Sequence, residues 1–126
     1  MRSILSVFFL LLLVNTSLVF AETETEEEIL SGRELLAGCE EGAAPGAPNQ
    51  YCMRYIFGLV QIVDQIQRAD PSQKLFCINP QQVGLPEVTE QTTDWLKSVP
   101  DRLDEDAYKL VSESLHKNYP CKIVDI

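Results

Sequence analysis

Four cysteines, Cys39, Cys52, Cys77 and Cys121, and a single histidine, His116, with Ser112 and Ser114 just ahead of it, are the side chains best suited to covalent chemistry. A thiol attacks or binds metal as its thiolate, and zinc sites made of cysteine draw it in close Cys-x2-4-Cys pairs. No two cysteines of this chain stand that close, so a zinc site is not expected. An even number of cysteines in an exported chain reads as two disulfides with three connectivities open. A serine and a histidine perform acyl transfer with a third group to orient the imidazole, and no acid is placed by spacing for that role. His116 reads better as a cation facing the negative end of a helix. No glycine-rich phosphate loop occurs, and no catalytic residue, metal or cofactor is assigned.

The compartment decides whether the cysteines oxidise. Arg2 is followed by an apolar run from Ile4 to Val14, and then by Val19-Phe20-Ala21, which fits the small-x-small rule for secretory cleavage. Cleavage is expected after Ala21, leaving 1–21 as a signal peptide. The run is too short for a membrane span, which takes about 20 apolar residues. Leu36-Ala37-Gly38-Cys39 matches the Leu-Ala-Gly-Cys box at which bacterial lipoproteins are cut and acylated. Such a box must follow the apolar run directly, yet Glu22, Glu24, Glu26, Glu27 and Glu28 intervene. The match is therefore read as false, and Cys39 as unlipidated and available to form a disulfide.

Nineteen acidic residues against ten basic ones give a net charge of -9, and the signal peptide would remove Arg2 alone from that balance. A chain without a basic footprint is a poor nucleic-acid binder. A basic protein partner suits it better.

The elements that position the cysteines follow from punctuation and periodicity. Residues 22–30 begin as an acidic run with nothing to bury and read as a flexible lead-in. Ser31 with Glu34 three residues on forms a capping box, and Leu30 with Leu35 the accompanying hydrophobic staple. A first helix starts there and stops in the Gly- and Pro-rich stretch from Glu40 to Asn49. Apolar residues at Cys52, Tyr55, Ile56, Leu59, Ile62, Val63 and Ile66 mark an amphipathic second helix ended by Pro71. Gly58 inside it is either a point of close helix crossing or merely tolerated. Leu75 to Ile78 read as a short buried piece. Pro86 suits the first turn of a third helix, with Leu85, Val88, Thr92, Trp95, Leu96 and Val99 on one side, ending before Pro100. Asp104 is the expected cap of a fourth helix, whose apolar face is Ala107, Leu110, Val111 and Leu115.

The fold class predicted is all-α, a small bundle of four to five helices stapled by two disulfides. If consecutive helices run antiparallel, the end of the first meets the start of the second, pairing Cys39 with Cys52. The entry to the third then meets the exit of the fourth, pairing Cys77 with Cys121. In the chain-entropy model these loops stabilise by about 3 and about 4 kcal/mol.

Taken in order, the Leu-Leu-x-x-Cys end of the first helix, Cys52-x-x-Tyr55-Ile56-x-Gly58, Phe76-Cys77-x-x-Pro80 and Pro120-Cys121 resemble the Rap/Tai immunity protein family of type VI secretion systems. The resemblance spans residues 31–121 and leaves 122–126 as a tail. It implies a periplasmic helical protein that binds and blocks a peptidoglycan amidase effector, with no membrane attachment after signal cleavage. A homodimer is left open. The competing reading is a periplasmic stress or folding factor that holds unfolded clients in an apolar groove. For partner binding the segment Ser98 to Asp106 is favoured, because it joins helices three and four and offers Pro100, Asp101, Arg102 and Asp104 with little apolar obligation.

Overall fold

The computed structural model describes residues 28–122, so the expected signal peptide, most of the acidic lead-in and residues 123–126 lie outside it. Four helices make up the described chain: α1 (Gly32–Glu40), α2 (Gln50–Ala69), α3 (Leu85–Ser98) and α4 (Ala107–Asn118), with a 3-10 turn at Pro100–Arg102. No strand occurs among the described residues, whose only β-type pairings are two isolated bridges. None of the described helices is long and apolar enough to cross a membrane. Cys39 is bonded to Cys52 and Cys77 to Cys121, the pairing that antiparallel neighbours require.

The capping box at the start of α1 is formed. Ser31 Oγ accepts the Glu34 N–H at 3.3 Å, and Glu34 Oε2 accepts the Ser31 N–H at 2.9 Å. Two further orphan donors of this helix end, Gly32 N–H and Arg33 N–H, reach the Glu105 and Leu103 carbonyls at 2.9 and 2.8 Å. The return bond runs from Ala107 N–H to the Leu30 carbonyl at 2.8 Å. A residue with a Cβ at position 32 would collide with the Leu110 side chain and stand 3.2 Å from the Leu103 carbonyl oxygen. The segment before α4 is thus laid against the N-terminus of α1, backbone to backbone.

That docking moves the expected cap. The N-cap of α4 is Asp106, without a side-chain cap bond, and not Asp104. Leu103 is drawn into the core at 6% exposure, so the helix can begin only after the turn has passed it. The Asp104 carboxylate instead pairs with Arg33 at 3.0 Å on the surface.

Between α1 and α2 the chain turns through Gly42 and Gly46, whose φ angles of 65° and 73° lie in the left-handed region open to glycine. Asn49 then caps α2 by accepting from the N–H groups of Tyr51 and Cys52 at 2.7 and 3.3 Å. The core is built on Leu35, Ile56, Leu96, Leu110, Val111 and Leu115, each fully buried, with the Cys39–Cys52 bond among them.

The apolar pattern of α2 locates the helix but overstates its buried face. Cys52, Ile56 and Val63 are buried, while Ile62 and Ile66 are exposed and Tyr55 and Leu59 half-buried. At 20 residues against the 9 of α1 and 14 of α3, α2 outruns the partners available to cover it. Gly58 has open space around its Cα, so no close crossing occurs there. The piece from Leu75 to Ile78 buries Phe76 alone, with Leu75 and Cys77 exposed. The faces predicted for α3 and α4 face the core, with Leu85, Trp95 and Val99 half-buried at its margin.

Candidate functional site

The turn before α4 is a fastened structure. Pro100, Asp101 and Asp104 are exposed, but Arg102 is committed to its own neighbours. Its Nε and Nη2 donate to the two oxygens of Glu105 at 2.9 and 3.1 Å, and its Nη1 and Nη2 to those of Glu113 at 2.9 and 2.7 Å. The guanidinium also lies over the Trp95 ring, 5.9 Å from its centroid. These forked bonds hold the Glu105 and Glu113 carboxyls below their ordinary range and, led by Glu113, push the guanidinium further up. With Leu103 buried, the expectation of a loop without apolar obligation fails: a core residue and an ion-pair cage on adjacent positions pin its middle. What it presents outward is Pro100 with the carboxylates of Asp101 and Asp104.

At the other end of α4 lies a second feature. Residues 75–78 form a strap between α2 and α4. From α2, the Gln67 side-chain carbonyl accepts the N–H groups of Leu75 and Phe76 at 2.7 and 3.2 Å, and its amide donates to the Phe76 carbonyl at 3.0 Å. From the α4 side, Cys77 N–H reaches the Tyr119 carbonyl at 2.8 Å, His116 Nδ1–H donates to the Leu75 carbonyl, and Cys121 is bonded to Cys77. Between α2, the strap and the start of α3 opens a groove of about 400 Å³, with Phe57, Val60, Phe76, Ile78, Val83 and Val88 along it and Asp64 and Arg68 among its polar lining.

The residues weighed for chemistry are scattered by this arrangement. Ser114 is buried, Ser112 is half-buried, and His116 lies in the last turn of α4 as expected, where its ring also bonds the strap. Among the described residues no cluster of three or more His, Cys, Asp or Glu side chains could hold a metal ion. Sequence reasoning missed the groove and the Gln67 clamp. The exposed Phe57 is the signal that could have pointed there, since it stands outside the apolar stripe of its helix.

A disulfide-stapled four-helix core running from the Ser31 cap to Cys121 is what a family model for Rap1a immunity proteins matches, over residues 31–121. The chain belongs to the Rap1a immunity protein family. No curated protein and no solved structure gives a significant match. Membership makes this an immunity protein and not an enzyme, and an immunity protein has a cognate toxin as its partner. Two disulfides agree with an extracytoplasmic location, where thiols persist in the oxidised form.

Proposed function

We propose that this Rap1a protein is exported to the periplasm by a signal peptide cleaved after Ala21, carries no lipid on Cys39, and binds and occludes a peptidoglycan amidase effector delivered by type VI secretion. The reading rests first on the family match over residues 31–121. In this proposal residues 22–30 are the lead-in, 31–121 the binding domain and 122–126 the tail. The turn bearing Pro100, Asp101, Arg102 and Asp104 is the contact element. Pro100, Asp101 and Asp104 face solvent, and a turn fixed in the free protein loses little conformational freedom on binding. The acidic balance of the chain would steer it toward a basic effector, an effect that salt weakens.

Titration calorimetry against the amidase at low and moderate salt tests the contact. Asp101→Ser with Asp104→Ser should weaken binding with helix content unchanged, while adding Arg102→Ser opens the cage and should weaken it further. His116→Ala should leave neutralisation intact. Unchanged affinity for the double variant would reject the turn, and absence of any binding would reject the amidase as partner. The exposed Phe57, Ile62, Ile66 and Leu75 favour a second reading, a holdase acting through an apolar surface. Suppression of aggregation across unrelated clients would support it.

A further inference from the structure

The two disulfides occupy opposite environments. Cys39 and Cys52 are 2% and 0% exposed and belong to the core, whereas Cys77 is exposed, Cys121 is half-exposed, and Cys77 also lines the open groove. Disulfide exchange needs a thiolate to approach one sulfur in line with the bond, so access sets which bond reacts in the folded protein. The buried bond can be reached only when the helices part. The outer one can be approached from solvent with the bundle intact.

What the outer bond holds is equally particular. It joins the strap to the chain just after α4, beside the Cys77 to Tyr119 backbone bond and opposite the Gln67 clamp on α2. The strap forms one wall of the groove and carries a single fully committed core side chain, Phe76. Ile78 of the strap and Val83 after it pack only at the margin of the core, whose buried residues otherwise come from the four helices and Leu103, with the Cys39–Cys52 cystine among them.

We propose that Cys77–Cys121 is a redox-operated latch that closes the groove wall on the helical core and can be opened by a dithiol while Cys39–Cys52 stays intact. A thiolate of the dithiol attacks Cys77 Sγ, the more accessible side, and Cys121 leaves as a thiolate. The second thiol of the reductant then displaces Cys77, so the reductant becomes a disulfide and two electrons with two protons pass to the protein. The opened form has a released strap and C-terminal end on an unchanged bundle. Exchange with the disulfide form of the reductant runs the same steps backwards, returns it to the dithiol and restores the groove. This inference does not depend on the identity of the toxin.

Graded dithiothreitol, quenched by alkylation and followed by peptide mapping, tests the order of opening on the wild-type protein below its unfolding temperature. Cys77 and Cys121 should be labelled at least ~10-fold faster than Cys39 and Cys52, as accessible bonds are against buried ones. In the opened form, hydrogen exchange should show amides of 75–83 losing protection while α1, α3 and α4 keep theirs, and binding of a hydrophobic dye should rise. Cys77→Ser with Cys121→Ser should reproduce that state without reductant. Equal or earlier opening of Cys39–Cys52, unchanged protection over 75–83, or a latch variant that fails to fold would each overturn the proposal.

Discussion

The two ends of α4 are fastened by different physics. At its N-terminus the turn is held to α1 by two backbone hydrogen bonds and a glycine contact, Ala107 N–H bonds the Leu30 carbonyl, and Arg102 cages the turn against Glu113 of α4, all of which depend on shape and charge. At its C-terminus a covalent bond, a glutamine clamp and one buried phenylalanine hold the strap. The helix between them spans about 18 Å at 1.5 Å per residue. The N-terminal end is the more determined, because its backbone contacts satisfy helix donors and Leu103 and Gly32 fill core space. The C-terminal end leaves an open groove and relies on a cross-link, whose main action is on the unfolded chain.

The contrast is broken most directly by removing the cross-link. Replacing Cys77 and Cys121 together by alanine should lower unfolding free energy by about 2 to 4 kcal/mol, the range for loss of a native disulfide that closes a long loop. Urea unfolding of the oxidised parent and the variant measures it. A loss near zero would mean that the unfolded chain is already compact at these residues.

A smaller effect is expected at the other end from Gly32→Ala. The new methyl meets the Leu110 side chain and the Leu103 backbone, and overpacking of a tight contact costs about 1 to 3 kcal/mol. Thermal unfolding should show the loss, and a neutral result would show that the turn can slide away from α1 without penalty.

The smallest change tests the cage by its pH dependence. Glu105 and Glu113 have folded values below their unfolded ones, so the stability they contribute is present above the ordinary carboxylate pKa and is lost as pH falls through the lowered values. Arg102→Met should reduce Tm modestly at pH 7, and the difference from the parent should begin to shrink as pH falls through the ordinary carboxylate range and vanish only once pH lies below the lowered values. A gap that persists in acid would assign the effect of Arg102 to its packing on Trp95 instead.

Much of this molecule could be read before it was seen folded. The Ser31–Glu34 box, the Asn49 to Pro71 helix limits and the proline before the last turn are signals within a few residues of where they act, and the structure forms them in place. Disulfide pairing was also legible, since helix order with antiparallel neighbours leaves one pairing that costs no rearrangement. The errors have one origin. Asp104 has the chemistry of a cap and Ile62 and Ile66 the spacing of a core, but the turn is laid on α1 and the face of α2 that bears Ile62 and Ile66 is left uncovered. As for the candidate site, Pro100, Asp101 and Asp104 could be foreseen as surface residues, whereas the capture of Arg102 by Glu113 joins residues that no local pattern links.

The sequence by itself therefore determined the helices, the capping box of the first of them, the oxidised cysteine pairs and the membership in an immunity family, because these depend on periodicity, on short-range hydrogen bonding and on motif order. Only the tertiary structure decided which apolar residues stay outside, which acidic residue pairs with which cation, and which disulfide lies within reach of solvent. Those outcomes depend on how far one helix extends past another, a property of packed lengths and crossing positions that no single segment encodes.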